Sequence, residues 1–150
     1  MKLFVQQILG NKVLTTAVTA LVTAQVLKIF TNYMKIKKFD TERIVGAGGM
    51  PSSHTAFVVS LATAIGIQHG WDSALFAIAS ILASIVMHDA AGVRRAAGKQ
   101  ARVINKLVTE KQSAHVAREG RLKELLGHTP IEVLAGALLG VSIAYALFRF

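Results

Sequence analysis

Hydrophobic positions along this chain come in long blocks, not in the alternation of a half-buried strand. WDSALFAIASILASIVMHDAA runs from Trp71 to Ala91, and PIEVLAGALLGVSIAYALF from Pro130 to Phe148. Each is close to the roughly 20 residues that a helix needs to cross hydrocarbon. A third block, from Ser53, carries no charge after His54. A fourth, Val13 to Met34, is threonine-rich and contains Lys28. The pattern predicts an all-α integral membrane bundle of about four transmembrane helices, in a single domain over 1–150. The spans fall at about 13–34, 53–69, 71–91 and 130–148, with a basic segment over 92–127. The opening MKLFVQQILG is too short to span and is expected at the interface. It lacks the small-residue cleavage pattern of a removable signal peptide.

Composition agrees: 53% of residues are hydrophobic and the mean hydropathy is +0.49. With no cysteine there is neither a disulfide framework nor a thiolate metal site. The net charge of +9 would suggest nucleic acid in a soluble protein, but here its placement reads as topology. Lys35, Lys37, Lys38 and Arg43 lie between the first two spans, and nine more basic residues, from Arg94 to Lys123, lie between the last two. The positive-inside rule puts both loops in the cytoplasm, in a multi-pass protein of the inner (plasma) membrane. No nucleic-acid partner is expected.

This topology gathers ionisable residues at the basic face: His54 opens the second span, Asp89 follows His88 at the end of the third, and His128 and Glu132 open the fourth. A carboxylate within a span is costly without a partner. His128 and Glu132 are four apart, hence on one helix face, and a carboxylate can hold an imidazole in one tautomer. Ser52 or Ser53, after Pro51, reads as a helix cap. Arg94 and Arg95 follow Gly92, where a turn would aim one of them back at the membrane, and guanidinium suits phosphate. Val103, Ile104, Leu107 and Val108 beside Lys99, Arg102 and Lys106 read as an amphipathic helix on an anionic lipid surface. RLKELLGH reads as a helix ending at Gly127.

PSSH (Pro51–His54) and HTPIE (His128–Glu132), with GGMPSSHTA, DAAGVRRAAGKQA and LKELLGHTPIEVLAGALLG, resemble the small divergent bacterial branch of the type 2 phosphatidic acid phosphatase superfamily, related to vanadium haloperoxidases. The parent motifs are K-x6-R-P, P-S-G-H and S-R-x5-H-x3-D. Ser53 replaces the glycine and Glu132 the aspartate. Arg43 is followed by Ile44 and preceded at seven residues by Ile36, so the first motif is not found there; Leu122 stands where the third motif has arginine. The resemblance implies hydrolysis of a lipid phosphate monoester or diphosphate. His128 would be the nucleophile, His54 the general acid and base, and Glu132 the group orienting His128. Ser52 and Ser53 would hold the phosphate at the helix start, with no metal or other cofactor; in place of the missing motif cations, Arg94 and Arg95, with Lys35 or Arg43, are expected to complete the clamp and Asp89 to support it. The partners implied are a membrane lipid substrate and an anionic lipid surface; a homodimer is compatible with the sequence.

Two other functions remain open from sequence. One is a catalytically degenerate protein that binds anionic lipid or phosphate. The other is a small transporter subunit in which Gln25, Lys28 and Asn32 face a polar path. A metal site of His54, His88, Asp89 and His128 is a further variant.

Overall fold

Small residues turn inward and large apolar ones outward, the reverse of a water-soluble core. The computed structural model describes residues 2–37, 49–111, 122, 124 and 126–149. Its helices are α1 (Lys2–Gly10), α2 (Lys12–Ile36), α3 (Ser53–His69), α4 (Ala74–His88), α5 (Arg94–Lys111) and α6 (Pro130–Arg149). A π-helical turn, Asp89–Val93, joins α4 to α5. No strand occurs among the described residues. Each start has a local cause. Asn11, Ser52 and Ser73 stand in extended backbone just before α2, α3 and α4, and each side chain accepts an N–H of the first turn.

Helix α3 is the centre, packed against α2, α4 and α6. Its sequence has no polar face because nearly every side is covered. Buried residues include Ala17, Ala20 and Ala24 of α2, Ala56, Ser60 and Ala64 of α3, and Ala144 of α6. On α6, Gly136 and Gly140 lie against α3: a β-carbon at Gly136 would stand 2.4 Å from the Ser52 carbonyl oxygen, and one at Gly140 2.6 Å from that of Ala56. Small residues four apart let the two backbones touch, the usual way that membrane helices gain dispersion energy when lipid competes for every apolar side chain. Meanwhile Val22, Val26, Phe30, Ile78, Ile81, Ile85, Leu134 and Leu138 face outward. Such a belt is stable against lipid and not against water.

Lys12–Met34, Ala74–Val108 and Pro130–Arg149 are each long and apolar enough to cross a membrane. Helix α3, with 17 residues, is about 25 Å long. Together they form a membrane helical bundle. At the α3–α4 turn the Trp71 ring lies over Gly66 and meets Phe76 edge-on at 5.0 Å.

Two local expectations are corrected. Gly92 makes no turn: the chain stays helical from Ala74 to Lys111, with the π turn absorbing Asp89–Val93. The third span and the first part of the basic segment, as far as Lys111, are thus one continuous helical rod. Gly127 ends no helix either, because Leu122, Glu124 and Leu126 are non-helical. The reason is a side chain distant in sequence. Asn105, buried on α5, donates to the Leu122 carbonyl at 2.8 Å and accepts the Leu122 N–H at 3.0 Å, so the strap that leads to α6, described at Leu122, Glu124 and Leu126–Thr129, is bonded to α5 at Leu122.

Candidate functional site

The strap ends where α6 begins, and that junction builds the site. Thr129 precedes Pro130, a residue suited to the first helical position because it has no N–H to satisfy. The Thr129 hydroxyl faces the Glu132 N–H at 3.4 Å, while Glu132 Oε2 accepts the Thr129 N–H at 3.0 Å. This reciprocal arrangement is a capping box. The same Oε2 lies 3.2 Å from His128 Nδ1. One carboxylate oxygen therefore serves both the helix start and the imidazole. With Nδ1–H donated to Glu132, the lone pair of His128 is on Nε2.

His128 is also held by its backbone. Its N–H donates to the Ala90 carbonyl, inside the π turn, at 2.9 Å. A π turn displaces carbonyls from the α-helical ladder, and such segments recur at functional sites. Gly127, at φ +83°, lies against the Arg95 backbone: a β-carbon there would stand 2.4 Å from the Arg95 nitrogen. A side chain at 127 would be strained in torsion and blocked in space. Ser52 N–H donates to the Glu132 carbonyl at 3.0 Å, tying the starts of α3 and α6 together.

Beside this junction is a cleft of about 380 Å³, lined by residues that include Thr31, Asn32, Arg95, Lys99, Arg102, His128 and Glu132. His128 is 4% exposed. Burial pushes its imidazole below the ordinary 6.5, and the charges of Lys28 and His54 push the same way; the hydrogen bond and charge of Glu132 oppose them. His128 thus favours its neutral form.

Of the residues singled out from sequence, His128 and Glu132 are hydrogen-bonded to each other in the cleft wall, which His54 does not line. His54 is exposed at the start of α3 and lies within electrostatic reach of Arg94, Lys28 and His128. Arg95 lines the cleft, whereas Arg94 is bound by Asp89, Nε to Oδ2 at 2.5 Å. Ser52 and Ser53 are buried, and Ser52 Oγ accepts from the N–H and hydroxyl of Thr55. Arg43 lies outside the described residues, as does the side chain of Lys35. Among the described residues no group of three or more His, Cys, Asp or Glu is placed to hold a metal ion.

Lys28 is the residue that sequence reasoning left out of the site. It is 3% exposed and interacts electrostatically with Glu132, His54 and His128. It continues the inward stripe of Ala20 and Ala24, one helical turn apart. A lysine in an apolar span was itself the signal, because such a charge needs partners. Lys28 also stands seven residues before Lys35, the spacing between the lysine and arginine of the first parental motif.

The chain is 42% identical over 155 residues to the uncharacterized membrane protein YuiD of Bacillus subtilis (strain 168), a match covering 96% of this chain and 98% of that protein. No solved structure matches it. Residues 9–143 match the family described as Divergent PAP2. With its apolar helical spans and a family match over most of its length, this is a membrane protein of the divergent PAP2 family.

Proposed function

We propose that the protein is a lipid phosphatase that works through a phosphohistidine at His128, on the cytoplasmic face of the inner membrane. The observation that carries this reading is His128 Nδ1 on Glu132 Oε2 at the wall of a cationic cleft. In the first step Nε2 of His128 attacks phosphorus, the P–O bond to the lipid breaks, and protonated His54 gives its proton to the leaving oxygen. In the second step His54 takes a proton from water, and the hydroxide displaces His128 to release inorganic phosphate. Glu132 stabilises the ring as positive charge develops on it. Lys28 would balance charge on the equatorial oxygens, the role first expected of the Arg94–Arg95 pair. Asp89 holds Arg94 beside His54.

A non-hydrolytic phosphate- or lipid-binding protein is the second reading, and one observation favours it: the capping box alone accounts for Glu132 at this position. Phosphate release from a panel of lipid phosphates, in detergent and with a chelator arm, separates the two. Release that His128→Asn and His54→Ala each abolish, and that the chelator leaves intact, supports the phosphatase. Binding without release across the panel supports the second reading.

A further inference from the structure

The cleft is larger than one phosphate group needs. At about 380 Å³ it lies within the roughly 300–1,000 Å³ range of small-molecule pockets. It also runs away from His128 along α5. Arg95, Lys99 and Arg102 line it at i, i+4 and i+7, one helix face extending about 10 Å. The strap fixes this arrangement through backbone contact. Gly127 lies on Arg95, and a β-carbon at Gly98 would stand 2.7 Å from the Glu124 carbonyl oxygen and 2.8 Å from that of Leu126. The cationic face of α5 is thereby held alongside the segment that carries His128.

The charges on the cleft wall do not balance. Its two carboxylates are both engaged: Glu124 lies 3.5 Å from Arg102 and accepts from Asn105, and Glu132 holds His128 and Thr129. Among the described residues, Arg95 and Lys99 remain as surplus positive charge facing the cleft.

We infer that Arg95 and Lys99 form a second anion subsite, so that the preferred ligand carries two phosphate groups, one at His128 and one beside α5. This rests on the proposed function only for which phosphate is transferred. The two phosphates are either adjacent, as in a prenyl diphosphate, or glycerol-spaced, as in a lipid bisphosphate. A single-phosphate lipid would leave the α5 end of the cleft to water.

Binding tests the idea without turnover. The full chain in detergent would be titrated with methylenediphosphonate and with methylphosphonate, neither of which can be hydrolysed to phosphate. The wild type should bind the first at least about tenfold more tightly, the size of one charge-assisted contact. Arg95→Gln and Lys99→Gln, at exposed helical positions where glutamine is tolerated, should each shrink that ratio severalfold and leave methylphosphonate binding within about twofold. Displacement of the diphosphonate by a prenyl diphosphate or by a glycerol-spaced bisphosphate then tells which spacing fits. Equal affinity for the two probes in the wild type would overturn the subsite. So would a ratio that neither substitution moves while vesicle binding falls, because these cations would then serve the bilayer surface. Loss of lipid hydrolysis in every assay, with the binding ratio intact, would count against the phosphatase and leave the subsite standing.

Discussion

Replacing Gly136 by alanine adds one methyl group where the structure has no room for it. The new β-carbon would stand 2.4 Å from the Ser52 carbonyl oxygen and 3.1 Å from Thr55 Cβ. Ordinary contact requires α6 to move away from α3 by about 1 Å, and overpacking of this kind costs about 1–3 kcal/mol. The same movement stretches the 3.0 Å bond from Ser52 N–H to the Glu132 carbonyl, worth about 0.5–1.5 kcal/mol. Alanine returns about 1 kcal/mol through its better helix propensity. The balance is a loss of about 0.5–3.5 kcal/mol, read by denaturant unfolding in micelles. Leu138→Ala on the lipid-facing side, 61% exposed, is the control and should change little. Because Ser52 and Glu132 are displaced together, phosphate release should fall further than the folded fraction does. A Gly136→Ala protein as stable as the wild type, or more stable, would refute backbone contact between α3 and α6 as the organising feature of the bundle.

The other predictions concern the site directly. Glu132→Gln keeps a side-chain acceptor for the Thr129 N–H and should unfold much like the wild type, whereas Glu132→Ala should lose about 1 kcal/mol; both should lose most phosphate release. Lys28→Met should lower phosphate release by about 10²-fold, measured in detergent at saturating lipid. His128 has its folded pKa below the unfolded 6.5. Between those two values the unfolded chain therefore binds more protons, and stability should fall as pH drops below 6.5 and level off above it. That slope should weaken in His128→Asn, by thermal melts across pH. Asn105→Ala leaves the Leu122 N–H and carbonyl without their clamp; it should cost about 1–3 kcal/mol and speed hydrogen exchange at Leu122.

How much of this was legible in the sequence differs from element to element. The blocks ending at Met34 and beginning at Pro130 announced their helices because apolar length is a strong local signal. His128 and Glu132 were legible as a pair because four residues is one helical turn, yet Thr129-Pro130-Ile131-Glu132 also spelled a capping box that was not read. Gly92 was misread because a π turn has no strong sequence signature; its glycine looks like any breaker. The strap was misread because its conformation is set by Asn105, 17 residues from Leu122, and no local pattern encodes that bond. Lys28 was noticed as a polar residue in a span, but its neighbours come from α3 and α6, which only the folded bundle brings to it.

The continuous rod of α4, π turn and α5 has a kinetic consequence. The 15 residues of α4 and five of the π turn rise about 30 Å, the depth of the hydrocarbon layer. With Trp71 marking one boundary, Arg94 and the cleft fall near the other. A lipid whose phosphate is to reach His128 can keep its tail in the leaflet and arrive by lateral diffusion. Encounter would then depend on the mole fraction of substrate in the leaflet, not on its concentration in the tube. An apparent KM would rise when inert lipid or detergent is added at constant total substrate, and would become a constant of the protein only when expressed per unit of surface.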